Sequence, residues 1–310
     1  MAESLFYFLV FPGLLFAAIT GAFISWFDRK ITARVQFRQG PPVLQPFFDF
    51  FKLLLVKETI LPRYGSPVIF LLAPIFAVFG AGMAAAFILL PLFNITTGFR
   101  GDIIVIFYLL TIPSFSYIIG ALASGNPLAA VGGSREMKLI LSYELTFLLV
   151  IAGIIMKSGQ QFNLNSIIQI QQAGSPFIGS ISGILLFIAG IFCIQAKLAL
   201  VPFDMPEAEA EITEGIFIEY SGAAYAMIKL TKYIMFFVLP SFLVAILMSA
   251  FRLDGIHILW SILKVLAVVL ILTLIRNTNP RIKIKQAVSF FFIWMNLIAI
   301  AALVLIAFGY

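Results

Sequence analysis

Eight stretches of this chain are apolar over about 20 residues each, the length a helix needs to cross a hydrocarbon core at 1.5 Å rise per residue. They predict membrane-spanning helices at Leu5–Phe27, Val68–Phe93, Ile103–Ser124, Met137–Met156, Phe177–Leu200, Ile218–Met248, His257–Ile275 and Ala287–Phe308. Pro74, Pro91, Pro113 and Pro240 lie inside these runs, where neighbouring helices can satisfy the freed backbone groups. Met1–Val10 carries Glu3 and no basic region, so the first run is read as a retained span rather than a leader. Between the first two runs, Leu44, Phe47, Phe48, Phe51, Leu54 and Leu55 recur at three- and four-residue spacing. Asp49, Lys52 and Lys57 interrupt them, which predicts an amphipathic helix in the interface plane or against a partner. Phe162–Ala173 predicts a second short surface helix. The expected fold is all-α: a single integral membrane domain over residues 1–310, with eight transmembrane helices and an amphipathic helix in the first cytoplasmic loop.

Composition agrees with this pattern. The chain is 62% hydrophobic and 11% charged, against about 25% charged in a soluble domain. Its net charge of +6 reflects where the bases fall and does not suggest nucleic acid. Fourteen Lys and Arg residues lie in or beside the odd-numbered connections and three in the even-numbered ones. The positive-inside rule then makes the odd loops of this cell-membrane protein cytoplasmic and puts both termini outside. Cys193 is the only cysteine and His257 the only histidine. That pair cannot supply an internal disulfide, a zinc site, a four-thiolate iron–sulfur cluster or a bis-His haem. Any redox cofactor must then belong to other chains. Cys193 reads as a small buried hydrophobe and His257 as an interfacial side chain.

Against this background one stretch stands out. Asp204, Glu207, Glu209, Glu211, Glu214 and Glu219 are six of the chain's fourteen acids, gathered in sixteen residues beside an apolar run. Asp204 suits an N-cap and Pro206 a first helical turn. Glu207, Glu211 and Glu214 then stand at i, i+4 and i+7, one helical face, with Glu209 pointing elsewhere and Glu219 at the start of the next span. A helix dipole favours acids only in its first turn, so it accounts for Glu207 better than for Glu211, Glu214 or Glu219. Crowded carboxylates in a low dielectric cannot all stay ionised and exchange protons as a cluster, so proton handling is the expected chemistry. Glu144, in the fourth span, and Lys229, Lys232 and Lys264, in the sixth and seventh, would extend such a path. The lysines have a plainer alternative, which is to reach for the interface. The hairpin DRKITARVQFRQGPP brings Arg29, Arg34 and Arg38 to a cytoplasmic turn, and GGSREM suggests a tight turn followed by an Arg135–Glu136 pair.

Several of these stretches together resemble one family. DRKITARVQFRQGPP, GSREMKLILSYE, VPFDMPEAEAEITEGIFIEYSG and RNTNPRIKIKQAVSFFFIW are similar, in order, to the loops of the H-type (mitochondrial subunit one) membrane subunit of respiratory complex I. The compact run Gly40-Pro41-Pro42-Val43-Leu44-Gln45-Pro46 resembles in particular the membrane-anchor subunit of group 4 membrane-bound NiFe hydrogenases and related energy-converting complexes. The resemblance implies a subunit without its own redox centre. Such a subunit anchors cytoplasmic iron–sulfur and hydrogenase-like subunits, where the iron–sulfur clusters and a NiFe site would lie. It connects them to antiporter-like membrane subunits. It would couple ferredoxin-linked electron transfer to proton or sodium translocation, in a hydrogenase first, or in a related sulfur-reducing or complex I-like enzyme. It implies Glu207, Glu209, Glu211, Glu214, Glu219 and Glu144 as the acidic path, and Arg29, Arg34, Arg38, Asp49, Arg135 and Glu136 as the docking side for the arm. Lys283 and Lys285 depart from the family, many of whose members carry an acid before the residue matching Gln286. A stand-alone secondary transporter is the other class of reading. It calls for inverted repeats and broken helices, and no such repeat is evident.

Overall fold

The computed structural model describes residues 2–93, 95, 102–249 and 257–309. Arg100 and Arg252, two of the three bases on the even-numbered side, lie outside the described residues, as does the side chain of Glu209. The described residues are helical, in chain order α1 Ala2–Leu9, α2 Leu14–Val35, α3 Gln45–Phe51, α4 Pro67–Leu92, α5 Asp102–Leu109, α6 Ile112–Ala123 and α7 Pro127–Lys157. There follow α8 Leu164–Ala173, α9 Ile181–Lys197, α10 Glu209–Ile212, α11 Gly222–Leu247, α12 His257–Thr278, α13 Ile284–Ser289 and α14 Asn296–Ala307. A π-turn at Lys52–Val56 extends α3, and another at Phe290–Met295 joins α13 to α14. Among the described residues, seven segments are long and apolar enough to cross a membrane, the first (Leu5–Val35) broken between α1 and α2, and α9 is a shorter apolar eighth. The eight predicted spans are thus present in order, with α3 as the amphipathic helix and α8 as the surface helix.

The bundle is built around α11, which packs against α2, α4, α9 and α12. Its second half, Tyr233–Leu247, is buried on every side and apolar apart from the Tyr233 and Ser241 hydroxyls, while its first half turns Lys229 and Lys232 to one face. Its neighbours approach closely through small residues. On α2 these are Ala17, Ala18, Gly21 and Ala22. A Cβ on Gly21 would lie 1.9 Å from the Tyr233 carbonyl oxygen, so α2 and α11 cross backbone against backbone. The outer helices α12 and α14 keep exposed faces such as Leu259, Trp260, Leu263, Leu297 and Ile300. Those faces suit lipid or another membrane subunit.

Four expectations change in ways that matter for function. The third span is divided: Pro113 falls in the first turn of α6, and the chain bends between Leu109 and Ile112. The fourth begins ten residues before Met137. Asn126 caps it by accepting the Leu128 amide, Pro127 takes the first turn, and Gly132 and Gly133 lie inside the helix, not in a tight turn. Gly132 is there for proximity, since its Cβ would meet the Ile216 amide at 2.7 Å and the Pro206 carbonyl at 3.0 Å. The sixth span starts at Gly222, three residues past Glu219. Finally, the acidic stretch is not one helix. It comprises a 3-10 turn at Met205–Glu207, the single turn of α10, left-handed backbone at Thr213 (φ 46°) and Glu214 (φ 67°), and a 3-10 turn at Gly215–Phe217. Glu207, Glu211 and Glu214 therefore do not share a helical face. Contact with α7 overrides the helical spacing.

Candidate functional site

Where α2, α6, α7 and α11 meet the acidic stretch they enclose a cavity of about 440 Å³. Its lining includes four carboxylates (Asp28, Glu136, Asp204, Glu207) and six cations (Arg29, Lys197, Lys229, Lys232, Arg276, Arg281). The fold brings them to the wall from several elements. Asp28 and Arg29 sit late on α2, Glu136 is two and a half turns into α7, Lys197 ends α9, and Lys229 and Lys232 are in the first half of α11. Arg276, in the last turn of α12, and Arg281, in the connection to α13, complete the lining.

Ion pairs organise the lining. Asp28, buried, accepts from Arg276 Nη1 at 2.7 Å and from the Thr273 hydroxyl at 2.8 Å. Asp204 pairs with Arg281 at 2.7 Å, so its carboxylate serves the cavity wall and not the N-cap that the sequence suggests. Burial pushes the Asp204 carboxyl above its ordinary 3.8, against the opposing pull of Arg281. Lys232 pairs with Glu207 at 2.6 Å and stands over the Phe217 ring at 4.5 Å. At the mouth, Arg29 pairs with Asp49 at 3.0 Å while Gln45 donates to the other Asp49 oxygen at 2.8 Å, which ties α3 to the cavity. Burial would raise the Asp49 carboxyl. The hydrogen bonds from Arg29 and Gln45 outweigh it and hold the group below 3.8.

The inner end is the most enclosed. The Lys197 side chain is 1% exposed, 3.5 Å from Glu144, and within 5.8 Å of the rings of Phe107, Tyr143 and Phe147. Its ammonium also reaches the Leu110 carbonyl at the bend between α5 and α6 (3.4 Å). Glu136 is buried and lines the same cavity as Ser114, Glu207 and Lys197. Carboxylates and an ammonium group thus run inward from the acidic stretch: Glu207, Glu136, Lys197, Glu144. Such a row, bordered by a cavity roomy enough for water, can pass protons or shift charge as one member titrates.

The model of the NADH dehydrogenase family matches residues 9–307. The chain belongs to that family. Among its relatives, the H-type subunit of the NADH-quinone oxidoreductase of Brevibacillus brevis is 31% identical, with 95% of this chain and 90% of the relative covered. The protein of the same name from Thermomicrobium roseum is 32% identical over 91% and 88% of the two chains. Among solved structures, a chain of the membrane-bound sulfane sulfur reductase, an archaeal respiratory membrane complex, superposes with a TM-score of 0.88 at 27% identity. That match covers 99% of this chain and all of the other. The chain is therefore an H-type membrane protein, of the kind found in complex I-like respiratory complexes.

In this family member the residues singled out in the sequence divide into three groups. Glu207, Lys229, Lys232 and Arg29 line the cavity, Asp49 is joined to its mouth through Arg29, and Glu144 is joined to its inner end through Lys197. Glu211, Glu214 and Glu219 stay on the outside of the acidic stretch. Glu211 pairs with Arg135 at 2.7 Å, Glu214 is exposed, and Glu219 accepts from Asn126 Nδ2 at 2.6 Å. Lys264 is remote, with its ammonium donating to the Met248 and Ser249 carbonyls at the end of α11. Arg34 and Arg38 are exposed beyond the cavity. Arg135 and Glu136 do not pair. Adjacent helical residues do not face each other, and while Arg135 turns to the acidic stretch, Glu136 turns inward. Glu136 is thereby a cavity group and not part of an outer docking face. Sequence reasoning missed Asp28, Lys197, Arg276 and Arg281 as site residues. Each is a charge at or just beyond the end of an apolar run, a signal that a plain interfacial residue shares.

Proposed function

We propose that this chain is the coupling subunit of a multi-subunit, ion-translocating oxidoreductase, with the charged cavity linking electron transfer in a cytoplasmic arm to ion movement in the membrane. The observation that carries the proposal is the buried Glu136 in one cavity with Glu207 of the acidic stretch and with Lys197, which pairs with Glu144. Buried ionisable groups inside a membrane bundle are costly and mark ion pathways or coupling sites. The excess of bases on the odd-numbered connections supports a cytoplasmic side for the acidic stretch, with both termini outside. The arm would then sit over the cavity, against Arg34, Arg38 and the exposed Glu211 and Glu214. Iron–sulfur clusters, and a NiFe site if the enzyme is a hydrogenase, would be held by partner subunits with ferredoxin as donor. Antiporter-like membrane subunits would lie along the outer helices.

Two terminal reactions suit such an anchor. The compact Gly40–Pro46 run favours a membrane-bound hydrogenase. The likeness to a chain of the sulfane sulfur reductase complex over nearly the whole length favours a sulfur-reducing enzyme as the second reading. Metal analysis of the purified native complex separates them, since nickel in stoichiometric amount supports the first and its absence the second. Coupling itself is tested in vesicles carrying the complex. Glu136→Gln and Glu207→Gln are expected to lower ion uptake per electron transferred. Unchanged electron transfer and unchanged ion uptake in both variants would overturn the proposal.

A further inference from the structure

The end of α7 away from the charged cavity holds a second pocket. Lys157, the last residue of α7, lies 21 residues beyond Glu136, about 30 Å along the helix axis. On one side of it are the end of α8 and the turn leading into α9. Lys157, Ile170, Ser175, Pro176, Phe177 and Ser180 line a cavity of about 380 Å³. The Lys157 ammonium donates to the hydroxyls of Ser180 and Ser182, the latter at 2.8 Å. An ammonium has three donors, so one remains for the pocket. Among the described residues Lys157 forms no ion pair, and no carboxylate lines the pocket. The Ser180 hydroxyl is fully committed: it donates to the Phe177 carbonyl and accepts from Lys157 and the Gly183 amide. The result is a half-buried cation, held in place by two serines, with no counter-ion among the described residues.

The surroundings specify the anion's other half. From the pocket, Ile181, Ile184 and Ile188 run down the outer face of α9 with 65%, 47% and 38% exposure. They follow i, i+3, i+7 spacing, which makes one continuous apolar stripe. The apolar run of α7 ends at Met156, so Lys157 stands at the edge of the hydrocarbon core, at headgroup level. A cation at headgroup depth above an apolar stripe matches a phosphate joined to an acyl chain.

We propose that this pocket is a binding site for one anionic phospholipid, with the headgroup phosphate on Lys157 and an acyl chain along Ile181, Ile184 and Ile188. The site is independent of the coupling cavity. The test is native mass spectrometry of the intact complex, purified in mild detergent and supplied with mixed anionic and zwitterionic phospholipid. The wild type and Lys157→Arg are expected to retain one anionic phospholipid that Lys157→Gln loses, with at least a tenfold drop in occupancy. Should Lys157→Gln fail to assemble, Ile181→Asn and Ile184→Asn serve instead and are expected to reduce occupancy in the same sense. Equal retention in the wild type and the variants overturns the proposal. Displacement of the lipid by excess inorganic phosphate overturns it in favour of a free-anion site. Crosslinking of Ser175→Cys to a neighbouring subunit overturns it in favour of a protein contact.

Discussion

Replacing Lys197 by Met tests whether the inner end of the charged row is a true ion pair. The perturbation keeps the aliphatic stem against Phe107, Tyr143 and Phe147 and removes the ammonium 3.5 Å from Glu144. At an effective dielectric of 20, that separation corresponds to about 5 kcal/mol of attraction. Desolvation of both groups offsets much of it, and breaking one side of a buried pair costs about 3–5 kcal/mol. The Glu144 side chain keeps 21% exposure, which points to the lower end, about 3 kcal/mol. Cys193, four residues earlier on α9 and fully buried with its thiol on the Tyr143 carbonyl, reports the opening of this region. Its labelling by a thiol reagent, followed by mass spectrometry of the intact complex, is expected to be about 100-fold faster in Lys197→Met, since 1.4 kcal/mol corresponds to tenfold. Glu144→Gln alone should also open the region, because it leaves a buried ammonium unpaired. The double variant removes both charges and is expected to return to within about 1 kcal/mol of the wild type. Independent sites add to within about 0.5 kcal/mol. If the two effects simply add, the pair is not coupled and the proposed row is broken at its inner end.

Gly132→Ala places a methyl 2.7 Å from the Ile216 amide and 3.0 Å from the Pro206 carbonyl, and is expected to cost about 1–3 kcal/mol by lifting the acidic stretch off α7. Increased protease cleavage around α10 would register it. Arg29→Gln removes the partner that holds the Asp49 carboxyl below 3.8. The folded value lies below the unfolded one, so the stabilisation is present above 3.8 and is lost as pH falls through the folded value. The stability gap between wild type and variant, about 1 kcal/mol or less for so exposed a pair, should therefore close on acidification in thermal unfolding. Asp204 has the opposite sign. Its folded value is raised, so its unfavourable contribution grows as pH rises, and Asp204→Asn should gain on the wild type from acid to neutral pH. For topology, Ser175→Cys should react with a membrane-impermeant reagent from the side opposite the cytoplasm, and Thr213→Cys should not react from that side. The buried Cys193 leaves a silent background.

The family, the eight spans and their order were legible in the amino-acid sequence because each rests on local or additive quantities. Apolar length marks a span, loop charge suggests its orientation, and the motifs survive without their neighbours. The amphipathic α3 was legible for the same reason. The crowding of carboxylates before α11 also pointed to the right end of the bundle. Its internal geometry did not follow from spacing. A helical face through Glu207, Glu211 and Glu214 was the natural expectation, but left-handed backbone at Thr213 and Glu214 folds the stretch against Gly132 of α7. Glu207 is thereby sent to Lys232 and Glu211 to Arg135. Likewise, nothing local distinguishes Arg135 from Glu136, or Lys197 from a lysine that merely ends a helix. Only the packing of α6, α7 and α9 decides that Glu136 and Lys197 face inward while Arg135 faces the acidic stretch. Sequence alone determined which segments enter the membrane, since that depends on each segment's own transfer free energy. The tertiary structure decided which charges meet, since pairing depends on distances between residues up to 248 positions apart, as for Asp28 and Arg276.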